Sequence, residues 1–169
     1  IYAVFIEIQV RNRYNKITLK KDGFYIMLHT ELFCGLEKSN PGYAIRQSVF
    51  VNEQGFASDL EFDKKDRTAF HILVFSDSVP IAVGRFFIMG DHITAYLGRI
   101  AVLKEHRGKK IGTYLLRQLE QAAKQKGAQF AMLGAQLHAR GFYEKLGYQS
   151  FGEEFDDCGK MHIHMKKVL

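Results

Sequence analysis

The chain has 169 residues, 47% hydrophobic and 25% charged, a balance that supports a single domain (1–169) with its own core and needs no disulfide or metal to hold it. Two prolines and no long polar tract exclude an extensive disordered region. With 24 basic and 18 acidic residues the formal charge is +6, which favours an anionic partner such as nucleic acid, a membrane surface or a phosphorylated cofactor without choosing among them.

Residues 1–10 are rich in β-branched and aromatic types and predict a strand, as do residues 23–29 after the polar Lys20-Lys21-Asp22 turn. The apolar opening is too short for a membrane span and lacks a signal-peptide pattern. Pro41 opens a predicted helix with Ala44, Ile45, Val49 and Phe50 on one side, ending near Gly55. Residues 58–67 alternate acid and base and are expected to form a surface loop. A meander follows over residues 70–75, 81–89 and 94–103, with turns at Ser76-Asp77-Ser78 and Gly90-Asp91. Beyond Glu105, the spacing of Ile111, Leu115, Leu119 and Ala122 predicts an amphipathic helix closed by Gly127. A strand over 129–134, a short helix over 142–146 and strands over 148–155 and 162–166 complete an α/β sandwich around a mixed sheet.

Cys34 and Cys158 are the only cysteines, and neither belongs to a C-x-x-C unit. Both are expected to be reduced thiols of a cytoplasmic protein. The most informative segment is residues 98–112, G-R-I-A-V-L-K-E-H-R-G-K-K-I-G. A strand runs through a basic, glycine-bearing loop directly into a helix, whose first amides are unpaired and carry the positive end of its dipole. Gly108 lets backbone approach an anion, Gly112 keeps the next turn free of bulk, and Arg107, Lys109 and Lys110 add charge: a pyrophosphate cradle, although basic residues before a helix are also common on surfaces. Neither a P-loop nor a G-x-G-x-x-G fingerprint is present.

This segment resembles the acyl-CoA signature [Q/R]-x-x-G-x-[G/A] of the GNAT superfamily of N-acyltransferases, with Arg107 at its first position, Gly112 at its last, and Lys110 where the middle glycine is usual. Lys110 is expected to offer its amide from helical dihedrals. Residues 136–148 are similar to N-x-x-A-x-x-[F/L/Y]-Y-E-K-x-G-[F/Y], matching at Ala139, Phe142, Tyr143, Gly147 and Tyr148, with Gln136 in place of the asparagine. Residues 46–54, R-Q-S-V-F-V-N-E-Q, look like the R-x-x-V-F-V-x-E-Q of the ElaA-like or YjcF-like branch; Asp63 and Asp66 echo its D-x-x-D, Ala135-Gln136 its A-Q, and residues 159–165 its G-x-x-H-x-x-M. The blocks keep the family's order over residues 40–168, while residues 1–35 diverge.

The resemblance implies a GNAT-like fold, a mixed, mostly antiparallel central sheet flanked by helices, and acetyl-CoA as acyl donor. Its diphosphate would lie at Arg107, Gly108, Lys109, Lys110, Ile111 and Gly112. Its pantetheine would lie beside Ile100, Ala101, Val102, Gln136 and Ala139, where the strand splays from its neighbour near Gly134, and its sulfur near Tyr143. Tyr143 is the candidate proton donor to the departing thiolate, against an ordinary role as a core aromatic. Glu53 and His162 are candidate bases for the amine, against local pairing for the first and a solvated sheet face for the second; an ordered water is the third option. His162 and His164 share a strand face, but no carboxylate or cysteine completes a metal set with them or with His138. The expected reaction is direct attack by a small-molecule or peptide amine, with no nucleic acid or membrane partner and with a homodimer left open. The alternative is a basic module that binds nucleic acid, or acyl-CoA without catalysis, through Lys109, Lys110 and the cluster at residues 11–21.

Overall fold

The computed structural model describes residues 17–21 and 24–169. The strand expected over residues 1–10 and most of the basic cluster at 11–21 lie outside them. Among the described residues eight strands form one sheet in the order β1-β2-β3-β4-β5-β6-β8-β7. They are β1 (Ile17–Lys21), β2 (Phe24–Cys34), β3 (Phe70–Ser76), β4 (Val79–Ile88), β5 (Thr94–Val102), β6 (Phe130–Gln136), β7 (Gln149–Asp157) and β8 (Lys160–Val168). Every neighbouring pair is antiparallel except β5 with β6.

On one face lies α3 (Ile111–Gln125), and its expected apolar stripe is buried: Leu115 and Leu119 are fully enclosed, together with Leu116 and Ala123. Each buried leucine stabilises the fold by roughly 1.5–3 kcal/mol. Gly84 of β4 allows the approach, because a Cβ there would stand 2.6 Å from a Leu119 methyl. Lys126 and Gly127 close the helix, with Gly127 at φ 94°. The other face is covered by α1 (Pro41–Arg46) and the turns that continue it, which pack Ile45 and Val49 against Leu73, Val83 and Ala101. The helix expected through Gly55 changes character at Gln47 and runs as a π-helix to Glu53, with Ala44 exposed. π-Helical turns widen the spacing of side chains and often mark functional segments.

Residues 58–67 are not a surface loop. They form α2 (Ser58–Glu61) and a 3₁₀ turn (Lys64–Arg67), and Glu61 and Asp66 point inward. The reason is three arginines from other elements. Arg46, with no exposed surface, gives Nε to Glu61 at 2.6 Å and a bidentate pair to Asp66 at 2.7 and 3.0 Å. Arg85 of β4 binds Asp63 at 2.8 and 2.9 Å and Asp66 at 2.7 Å. Arg99 of β5 reaches Glu61 at 2.9 Å. The charge alternation that reads as solvated in the sequence is the half of a buried network visible in one segment.

Candidate active site

The β5–β6 ladder is short. Thr94, Ala95 and Tyr96 pair with Phe130, Ala131 and Met132, after which β5 continues to Val102 and β6 to Gln136 without pairing to each other. The expected splay is therefore present. Tyr96 props its vertex: the backbone of Gly134 hydrogen-bonds its hydroxyl, and a Cβ on Gly134 would come within 3.2 Å of it. A bulge sets the bend of β5, because Val83 pairs with Ala101 while Arg85 pairs with Gly98, leaving Arg99 and Ile100 opposite Gly84 alone. Arg99 adopts φ 52°, a conformation unusual for a side-chain-bearing residue. Its guanidinium is fastened to the carbonyls of Leu60 and Glu61, each at 3.1 Å, which locks the bulge.

Backbone polarity in the splay follows from one bond. Leu103 donates its amide to Ile81 of β4 at 3.0 Å, so by the two-residue alternation of a strand Ala101 also faces β4. Ile100 and Val102 face the open side. Consistently, the Val102 carbonyl accepts Arg107 Nε at 2.9 Å. Ala101 thus differs from its expected part in cofactor binding: its side chain is core and its amide faces β4.

Two hollows meet at the splay. The wide one, about 1050 Å³, runs past Ile100, Val102, Arg107, Gly108, Lys110, Ile111, Gly112 and Gln136. At its end the first turn of α3 has no side-chain cap, and the first helical bond goes from Tyr114 to Lys110, which leaves the amides of Ile111, Gly112 and Thr113 open. Thr113 was not among the predicted residues, although the third amide of the helix implies it. Gly108 stands at φ 73°. Lys110 is the N-cap at φ 60°, ψ 12°, so the expectation of right-handed helical dihedrals is corrected. The position requires the left-handed region, which explains why glycine suits it. A Cβ on Gly112 would meet Phe142 at 3.6 Å, so alanine also fits. Lys109 turns away from the expected role: its ammonium binds the Glu105 carbonyl at 2.6 Å.

Arg107 and Glu53 form a bidentate pair at 2.6 and 2.8 Å across this cleft. The hydrogen bond from Arg107 holds the Glu53 carboxyl below the usual carboxylate range, so in this state Glu53 is a poor base for an amine. That corrects the picture of a carboxylate free to act.

The smaller hollow, about 240 Å³, lies on the far side and takes in Ala139 and His162. Gln54, Ile100, Gln136, His138 and Tyr143 border both hollows, so Tyr143 stands at their junction. The amide of Gln136 donates to Gln54 at 3.0 Å, which links the E-Q and A-Q segments. Burial pushes the Tyr143 phenol up to about 12, so it remains protonated at neutral pH and serves as a donor and not a base. His162 pairs with Gln136 across the β8–β6 ladder. Its Nδ1 lies 2.8 Å from the Lys160 carbonyl. A carbonyl only accepts, so in the neutral ring Nδ1 carries the hydrogen and Nε2 keeps its lone pair. Phe155 stacks on both His162 and His164, at 5.7 and 4.4 Å, which places the two on one strand face as expected. Among the described residues no group of three or more His, Cys, Asp or Glu is arranged to hold a metal. Among them, too, no helix is long and apolar enough to cross a membrane.

A splayed β5–β6 pair, an uncapped helix at one end of the opening and a mostly antiparallel sheet define the acyl-CoA N-acyltransferase fold. The acetyltransferase (GNAT) family pattern matches residues 39–148, and the chain belongs to that family. It is 40% identical over 128 residues to the Bacillus subtilis (strain 168) protein YyaT, covering 74% of this chain and 85% of that one. It is 36% identical over 132 residues to the uncharacterized N-acetyltransferase YjcF of the same strain, covering 78% and 93%. The crystal structure of Escherichia coli ElaA superposes with a TM-score of 0.73 at 26% identity, over 83% of this chain and 99% of that one.

Proposed function

We propose that the protein is an N-acetyltransferase of the ElaA-like or YjcF-like branch, which transfers the acetyl group of acetyl-CoA to a primary amine by direct attack. The observation that carries this reading is the junction itself: a cleft with unpaired helix amides and a chamber with a histidine lone pair meet at Tyr143. The open amides of Ile111, Gly112 and Thr113 suit a diphosphate, and Ile100 and Val102 offer strand-edge amides to an extended amide-bearing arm. In this reading Nε2 of His162 takes the proton from the acceptor ammonium, directly or through a water. The freed amine nitrogen bonds to the thioester carbonyl carbon, the carbon–sulfur bond breaks and Tyr143 donates to the sulfur that leaves; the nitrogen's remaining extra proton is lost to solvent, from which Tyr143 is reprotonated. A covalent route through Cys158 is disfavoured, because its hydrogen bond to Asp157 and that carboxylate's charge raise the thiol pKa and keep it neutral.

The test has two parts. Calorimetry with coenzyme A should show saturable binding below millimolar concentration; none at that level overturns the proposal. In a thiol-release assay, Tyr143→Phe should lower kcat about 10-fold or more, toward the ~10²–10⁴ range of general acid catalysis, with coenzyme affinity unchanged. An unchanged kcat would remove Tyr143 from the reaction.

A further inference from the structure

The chamber's walls define what it accepts. Five phenyl or phenol rings line it, those of Phe50, Phe56, Tyr96, Tyr143 and Phe155, beside the imidazoles of His138 and His162. Three acidic or basic side chains, Glu61, Arg99 and Asp157, join them. Arg99 is fully engaged: besides the two carbonyls, it meets Glu61 at 2.9 Å and Asp63 at 3.5 Å. Glu61 is engaged in turn by Arg46 and Arg99. Asp157 remains, exposed on the β7–β8 turn, its carboxylate accepting the Cys158 thiol at 3.4 Å. Lys160, whose ammonium lies 5.4 Å over Phe56, borders the wide cleft and not the chamber.

A two-residue turn fixes this arrangement. Asp157 pairs with Lys160 around Cys158 and Gly159, at φ 55° and 79°, the left-handed pair of a tight hairpin. The same turn places the Lys160 carbonyl that sets the His162 tautomer. His162 is only 7% exposed, borders the chamber, and has an Nε2 with no hydrogen-bond partner among the described residues.

The chamber thus offers flat apolar faces, one carboxylate outside the ion pairs of the described residues and a lone pair, and among its described lining residues no unengaged cation. An amine near neutral pH enters as an ammonium, which ring faces and a carboxylate both attract. A carboxylate on the acceptor would be desolvated among rings beside Asp157 with no partner. We propose that the acceptor is a primary amine on an apolar, ring-sized body that carries no carboxylate, an arylalkylamine in chemical class. This rests on the acetyl-transfer reading of the site. Asp157 draws the ammonium in, the rings hold the body, and Nε2 of His162 removes the proton before attack.

The experiment compares three acceptors in thiol release from acetyl-CoA: 2-phenylethylamine, phenylalanine, and phenylalanine methyl ester, which blocks the carboxylate and leaves the body intact. The amine should exceed the amino acid in kcat/KM by ~30-fold or more, the ester should recover to within ~5-fold of the amine, and Asp157→Asn should raise KM for the amine ~3–10-fold. Coenzyme binding is measured on the same preparations. With that binding intact, equal use of amine and amino acid, or turnover of none of the three, overturns the acceptor class and leaves the donor site standing. Absence of coenzyme binding would instead overturn the transferase reading.

Discussion

The two hollows are built from different materials. The wide cleft is lined at its working points by main chain: the amides that open α3 and the unpaired edge of β5. The chamber is lined by side chains from α2, β5, β6, β7 and β8, and it stands on the buried network of Arg46, Arg85 and Arg99 with Glu61, Asp63 and Asp66. Main-chain donors persist through most substitutions, so the cleft should tolerate sequence change while its backbone path survives. Side chains with buried ionic supports have no such tolerance, and removing one partner leaves a charge uncompensated in the interior.

The largest expected effect comes from the shared carboxylate of that support. Asp66 receives Arg46, Arg85 and the Asp63 amide, so Asp66→Ala leaves two guanidinium groups short of a partner. Urea unfolding should show a loss of about 3–5 kcal/mol. Coenzyme affinity of the folded fraction should stay within ~2-fold, since no main-chain donor of the cleft has moved. A change confined to ±0.5 kcal/mol would show that the network contributes little, and the contrast between the two hollows would fail. Acid offers a milder version. His71 is fully enclosed beside this network, stacked on Phe33, and burial depresses its pKa to about 4 from 6.5. Between these values the unfolded chain takes up a proton that the folded chain refuses, so stability falls as pH drops from 6.5 toward 4 and levels below that. The contribution is up to about 3 kcal/mol at ~1.4 kcal/mol per pH unit. His71→Phe should flatten the pH dependence of the urea midpoint across that window. An unchanged slope would assign the acid sensitivity to other groups.

The same division of materials explains what the sequence made legible. Strand-loop-helix order, Gly108, the apolar stripe of α3 and the splay implied by family resemblance are local patterns, and they placed the cleft with most of its donors. Thr113 was within reach of the same reasoning. Ala101 and Lys109 were not, because which way an amide or an ammonium faces depends on the partner strand and on the Glu105 carbonyl. The chamber was scarcely legible. Phe50, Tyr96 and Phe155 carry no shared spacing, and the splay and the β6–β8 ladder are what bring them together. The expected loop at 58–67 failed for the same cause: its carboxylates are answered by Arg46, Arg85 and Arg99, which are 12 or more positions distant from the segment's ends or lie in separate strands, and no local pattern displays that pairing.

The smallest expected effect sharpens the comparison most, because it falls where a side chain competes with the main-chain site. Arg107, 40% exposed, is held by Glu53 and by the Val102 carbonyl in the position from which it would serve a diphosphate. An exposed pair of this kind contributes ~0.2–1 kcal/mol. Glu53→Gln removes the competing charge, so coenzyme A should bind up to ~5-fold more tightly by calorimetry, with a steeper loss of affinity as salt rises. The same variant decides between two parts for Glu53. A carboxylate that only restrains Arg107 predicts kcat within ~2-fold of the parent, whereas one released by the incoming diphosphate to take the amine's proton predicts a fall of 10-fold or more. Since Arg107 keeps Glu53 ionised and weakly basic while the pair is closed, and since His162 already lines the chamber with its Nδ1 committed to the Lys160 carbonyl, the first outcome is expected: tighter binding, with kcat unchanged.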